Sequence, residues 1–204
     1  MFDETVEGAA RAHALEVWPQ EACGVVSKGV YVRVKNIATD PQDGFEMPAD
    51  TWLTLKPEAV IHSHNAKRHP HWPSGADMQS QIAAAIPFGI VSTDGEVTTP
   101  VLWWGDQILD TDLIGRSFIP GIFDCYGLVR SWYWQTRKFH LPDFARSREW
   151  WNDGENLLVD HFTEAGFEAI DAKQARPGDV FFMKIMAKVP CHSVSAVCAP
   201  HCRR

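Results

Sequence analysis

No apolar run in this 204-residue chain approaches the roughly 20 residues that a bilayer-spanning helix needs. The first residues also lack the basic stretch and apolar core of a secretory signal, so neither a membrane span nor export is expected. Cysteine is sparse. Cys23, Cys125, Cys191, Cys198 and Cys202 are five, an odd number without a signal. They argue against a disulfide framework and for synthesis in a reducing cytosol. Positive charge is in deficit: 19 Lys and Arg stand against 26 Asp and Glu, a net charge of −7. Nonspecific binding to nucleic acid is therefore not favoured. No segment repeats.

What is present is ordinary for a globular protein. The chain is 45% apolar and 22% charged, and its length suits one large domain or two small ones. Nine tryptophans is a high count. They fill cores or form a sugar-stacking or protein-docking face.

The organising stretch is Ile61-His62-Ser63-His64, followed by Ser74-Gly75-Ala76-Asp77. Glu58-Ala59-Val60-Ile61 is a short apolar lead, so a strand ending at the histidines is expected. On a strand, histidines at i and i+2 point to the same side. A loop with Pro70 and Pro73 follows, and Ser74 then caps a predicted helix running to Ile86, with Pro87 beyond it. Two imidazoles from a strand end and a carboxylate from the first turn of a helix converge on one metal ion in such an arrangement. His62, His64 and Asp77 leave a fourth tetrahedral position open, as in a catalytic zinc site. Ser-x-x-Asp before an apolar run is equally a capping box, and His69 and His71 in the loop are either solvent-exposed residues or alternative ligands.

His62-Ser63-His64 with Ser74-x-x-Asp77 and an upstream glutamate resembles the JAMM (JAB/MPN) metallopeptidase motif. The glutamate is Glu21, in Pro19-Gln20-Glu21-Ala22-Cys23-Gly24. The resemblance implies that His62, His64 and Asp77 bind Zn2+. It makes Glu21 the general base and acid on the metal's water, and gives Ser74 the task of holding the developing oxyanion. The segment Asn65 to Pro73 is longer than the family's commonest spacing.

Around this motif the chain reads as a compact α/β domain. Val6, Ala10, Ala14 and Val17 recur at helical spacing over Asp3 to Val17. Ser27-Lys28-Gly29 separates Gly24-Val25-Val26 from Val30 to Val34 as a hairpin turn. Asp40 to Asp50 reads as a loop. Phe88 to Ser92 and Val97 to Trp104 read as strands joined at Asp94-Gly95. Turn residues mixed with isolated apolar ones over Gly105 to Pro120 mark a boundary, giving domains at 1–108 and 115–204.

The second domain opens on Phe123-Asp124-Cys125-Tyr126-Gly127-Leu128-Val129-Arg130, the start of a helical pattern reaching about Phe139. A cysteine in a helix's first turn feels the positive end of the dipole, which favours thiolate; a buried, inert cysteine is the alternative. Arg176-Pro177-Gly178-Asp179-Val180-Phe181-Phe182 reads as a turn entering a strand, and His192 follows. Cysteine at a helix start with histidine on a distant strand is the papain-like geometry.

Asp124-Cys125-Tyr126-Gly127-Leu128-Val129, Arg176-Pro177-Gly178-Asp179 and His192 together resemble an NlpC-type cysteine peptidase, a family that cleaves bacterial cell-wall peptides. The resemblance covers roughly 119–192 and implies Cys125 as nucleophile and His192 as base. After His192 the sequence departs from that family. Ser193 to Val197 is a short alternating run, and His201 comes too early to be a third site member. Cys191, His192, Cys198, His201 and Cys202 fit no standard zinc spacing. A truncated or frameshifted end, and hence an incomplete domain, is expected.

The order JAMM then NlpC-type resembles the lambda-type family of phage tail-assembly proteins, of phages and prophages with long non-contractile tails. That implies phage tail-tip proteins and peptidoglycan peptides as partners. It also implies work in the bacterial host cytoplasm during assembly, or at the virion tail tip. The expected function is hydrolysis of a peptide or isopeptide bond during tail assembly. The alternative is a structural tail-tip protein that uses both peptidase folds as docking modules.

Overall fold

The computed structural model describes residues 2–195. The chain divides into two compact units, the first comprising 1–73 and 79–107 and the second 74–78 and 108–204. The class is α/β, with a mixed sheet in the first unit. No helix among the described residues is long and apolar enough to cross a membrane.

In the first unit, helix α1 (Glu4–Val17) starts where the Asp3 carboxylate accepts the Val6 N–H at 3.1 Å. Strands β1 (Cys23–Ser27) and β2 (Val30–Val34) form the expected hairpin. Its central residues Lys28 and Gly29 both have positive φ, +53° and +72°, the backbone that matches the twist of a tight two-residue turn. Strand β3 (Ala59–Asn65) runs antiparallel to β1 and parallel to β4 (Phe88–Thr93), and helix α3 (Gly75–Ala84) makes the crossover. Strand β5 (Leu102–Trp104) completes the order β2-β1-β3-β4-β5.

The sheet separates two layers. Val6, Ala10 and Ala14 of α1 pack on Ala22, Val26, Tyr31, Ala59, Ile61 and Val91. The alternate residues Val25, Val60, His62, Phe88, Ile90 and Trp104 are buried on the opposite face. Every residue of β3 is buried, as both covered faces require.

Three expectations change. Strand β5 is confined to 102–104, because Pro100 interrupts the ladder; before it, Thr98 bridges to Thr93 and the Thr99 N–H donates to the Ser92 carbonyl at 3.0 Å. Helix α3 stops at Ala84, since Ala85 adopts φ +53°. A short helix α2 (Asp50–Leu55) follows Ala49, whose side chain cannot cap, so no start signal announces it.

In the second unit, helix α4 (Cys125–Arg137) ends at Lys138 in the left-handed conformation. Helix α5 (Leu157–His161) follows, then an antiparallel pair, β6 (Val180–Met183) and β7 (His192–Ser195), with Met183 opposite His192. The Arg176-Pro177-Gly178-Asp179 segment is a turn. Gly178 has φ +104°, and the Asp179 carboxylate accepts the Arg176 N–H at 2.6 Å. Gly127 has a different reason. A Cβ there would run into the Ile122 carbonyl oxygen, so the loop before α4 lies directly on the helix. Gly127→Ala, ordinarily favourable within a helix, is expected to lower stability by about 1–3 kcal/mol here, read as the midpoint of urea unfolding. An unchanged or raised midpoint would show that the loop yields freely.

Candidate functional site

The first cluster is built on one face of the sheet. Cys23 pairs with His62. The Ser63 N–H donates to the Ala22 carbonyl at 2.8 Å, which carries the ladder one residue further and sets Glu21 across from His64. Directly opposed residues share a face, so Glu21 stands on the side of both histidines. Glu21 is only 3% exposed.

His62 Nε2 and His64 Nε2 are 3.1 Å apart. Two nitrogens bound to one tetrahedral zinc at about 2.0–2.1 Å lie about 3.3 Å from each other, close to this separation. The Pro70 carbonyl lies 2.8 Å from His64 Nδ1. A carbonyl only accepts, so Nδ1 carries the proton and Nε2 presents its lone pair. Ligand atoms of His62, His64 and Asp77 all fall within 4.8 Å of one another. The His62 ring is stacked on Phe45 (centroids 4.4 Å, planes 23° apart) and meets the edge of Trp104 at 6.0 Å. Both contacts restrict its rotation.

Asp77 occupies the third position of α3. The Ser74 N–H and hydroxyl donate to Asp77 Oδ2 at 2.8 and 2.7 Å, and Ser74 Oγ accepts the Asp77 N–H at 3.1 Å. The capping box and the ligand cluster therefore coexist: the cap holds the carboxylate that stands near the two imidazoles. The residues present fit a zinc ion in ligand type and spacing, and His64 also in tautomer. His69 and His71 are not fully solvent-exposed. Both are half-buried, with His69 Nε2 3.1 Å from the Asp43 carboxylate and His71 Nδ1 2.9 Å from Ser92 Oγ.

The second cluster surrounds Cys125 at the start of α4. Asp124 caps the helix, its Oδ1 accepting the Gly127 N–H at 2.8 Å. Arg146 chelates the same carboxylate with bonds of 2.6 and 3.0 Å, and also binds Asp143 at 2.8 Å. Asp143 in turn accepts from Arg130 at 2.9 Å. Arg146 is 7% exposed. Burial pushes the Asp124 carboxyl up, but the Arg146 charge and hydrogen bonds outweigh burial and hold it below the usual range. This network was not legible in the sequence, because Arg146 sits in a loop without periodicity and its partners lie up to 25 residues away.

Cys125 and His192 line one cavity of about 240 Å³, with Tyr126, Phe144, Trp150 and His161 among its walls. No hydrogen bond joins the two among the described residues. Ser193 stands near the thiol and favours its charged form. Ser193 is the buried residue of β7 and follows His192 on the same strand. The expected thiolate is also corrected. Burial first, then the adjacent Asp124 carboxylate, push the Cys125 thiol up, and Ser193 and Arg146 recover only part of that shift. At pH 7.5 Cys125 is expected to alkylate more slowly with iodoacetamide than free N-acetylcysteine, as followed by peptide mass mapping. Faster labelling would show that the helix terminus prevails over burial. Cys23 is more extreme, its thiol pushed up to about 12 by burial and Glu21. Cys198, His201 and Cys202 lie outside the described residues.

Comparison with known proteins bears on the second cluster and on the chain as a whole. The NlpC/P60 family model matches residues 104–194, which contain Cys125 and His192, so an NlpC/P60 papain-like domain is present. A solution structure of a Desulfitobacterium hafniense protein is 20% identical over 52% of this chain and 84% of that one, with a TM-score of 0.40. The tail tip assembly protein K of Escherichia phage lambda is 29% identical, covering 72% of this chain and 70% of that protein. The tail tip assembly protein K of Escherichia phage N15 is 30% identical over 200 residues, covering 92% of this chain and 78% of that protein. With that identity sustained across both chains, the protein belongs to the tail tip assembly protein K family.

Proposed function

We propose that this chain is a tail-tip assembly hydrolase in which His62, His64 and Asp77 form a JAMM-type zinc metallopeptidase centre acting on a peptide or isopeptide bond. The observation that supports it is the gathering of His62, His64 and Asp77 within 4.8 Å, with buried Glu21 across from His64. His62, His64 and Asp77 would hold a zinc ion, which would supply Lewis acidity and bring the pKa of the attacking water to about 7. Glu21 takes the proton from the attacking water and returns it to the leaving amine. Ser74 orients the Asp77 carboxylate through its hydroxyl, and in this reading it also helps to hold the developing oxyanion.

The NlpC/P60 domain is the second hydrolytic centre in this reading, with Cys125 as nucleophile, His192 as base and cell-wall peptides as substrate. The raised thiol and the absence of a Cys125–His192 hydrogen bond favour a weak cysteine peptidase, so this domain serves tail assembly more through docking than through turnover. Partners are other tail-tip proteins and peptidoglycan peptides, met in the host cytoplasm during assembly and at the tail tip of the virion.

The deciding experiment is elemental analysis of the purified full chain and of His64→Ala, combined with an assay of peptide and isopeptide hydrolysis. One zinc per chain, lost in His64→Ala together with hydrolysis, is the expected result. A metal-free wild-type chain would sink the metallopeptidase reading, and hydrolysis dependent only on Cys125 would transfer the activity to the second unit.

A further inference from the structure

The loop between β2 and α2 carries more hydrogen-bonding order than a connection needs. Asn36 uses its whole amide. Its Nδ2 donates to the carbonyls of Glu21 and Gly44, both at 3.0 Å. Its Oδ1 accepts the N–H groups of Ala38 and Glu46 at 3.0 and 3.1 Å. Two donors and two acceptor sites are the full capacity of a carboxamide. The loop is closed again by Ile37 N–H to the Glu46 carbonyl at 2.9 Å, and the Pro41 carbonyl accepts the Glu21 N–H at 2.6 Å. Both backbone polar atoms of Glu21 are thus held by this loop, one of them by Asn36 itself.

The same loop delivers Phe45, which lies between the two residues Asn36 ties down, Gly44 and Glu46, and stacks on His62. One side chain therefore fixes two things at once: the backbone of Glu21 and the ring that restrains a metal-ligating imidazole. We propose that Asn36 is a positioning residue of the metal site, acting on His62 through Phe45 and on Glu21 through its backbone carbonyl. This rests on the zinc reading above. Asn36 touches neither the metal position nor a substrate, and its role is to keep the unligated site in the liganded geometry. Partners that orient metal ligands typically contribute about 10- to 100-fold in affinity or activity.

The test uses Asn36→Asp, which keeps shape and both acceptors but sets carboxylate oxygens against the Glu21 and Gly44 carbonyls. Phe45→Ala removes the ring while leaving the loop's knot in place. Zinc dissociation constants come from competition with a chromophoric chelator on the full chain, and hydrogen exchange reports the Glu21 amide without metal. Each single variant is expected to bind zinc about tenfold more weakly. The double variant should be little weaker than either single one, because Asn36 reaches His62 through Phe45. Glu21 amide exchange should accelerate in Asn36→Asp and stay unchanged in Phe45→Ala. Wild-type zinc affinity in a folded Asn36→Asp would overturn this proposal alone, as would fully additive effects. If Asn36→Asp does not fold, Phe45→Ala at wild-type affinity overturns it. A wild-type chain that takes up no zinc would overturn the metal reading and this proposal together.

Discussion

Replacing Glu21 by Gln is expected to leave one zinc per chain and to lower hydrolysis at least about a hundredfold, the usual contribution of a positioned general acid–base. Gln is isosteric but cannot accept a proton at neutral pH. Glu21 is separate from the His62, His64 and Asp77 cluster, so the ligand atoms survive the change. His64→Ala makes the complementary cut. It removes one of two nitrogens that stand 3.1 Å apart and should abolish stoichiometric zinc. The pair separates the roles: metal without turnover in one variant, neither in the other. Zinc retained at full stoichiometry in His64→Ala would place the ion elsewhere. Unreduced hydrolysis in Glu21→Gln would remove this residue from the chemistry.

Arg146→Ala should destabilise the second unit by about 3–5 kcal/mol, the range for deleting one partner of a buried ion pair. The loss leaves Asp124 buried against an absent charge, and with it the cap of α4. Arg146→Lys should fall between, since an ammonium cannot chelate both Asp124 oxygens as the guanidinium does. The pH dependence follows from Asp124, whose folded pKa lies below its unfolded value of about 3.9. Below that value the unfolded chain takes up the proton first. The stabilisation is therefore complete above about pH 4 and is lost as pH falls through the folded value. In Arg146→Ala, only the Gly121 and Gly127 N–H groups remain to oppose burial at Asp124, so acid unfolding should begin at higher pH. Chemical unfolding monitored by tryptophan fluorescence across pH 2–7 reads both effects. Wild-type stability in Arg146→Ala, or an unmoved acid transition, would show that the network contributes nothing net.

Elements whose causes are local were legible in the residue pattern. The 3.6-residue spacing of Val6, Ala10 and Ala14 gave α1, Lys28-Gly29 gave the β1–β2 turn, and Ser74 with Asp77 gave the start of α3. His62 and His64 on a strand end already placed two imidazoles on one side, because alternation is a property of the strand alone. Arg-Pro-Gly-Asp likewise contained its own turn, since Gly178 tolerates positive φ and Asp179 bonds back to Arg176. Tertiary structure decided whatever depends on who meets whom. That Arg146 rather than solvent neutralises Asp124, and that Asn36 clamps Glu21 from 15 residues away, follows from chain paths that no local pattern encodes. The state of Cys125 turned on the same distinction. Its place at a helix start is local and favours thiolate. Burial and the neighbouring carboxylate act in the opposite sense, and only the packed structure shows that burial is the larger.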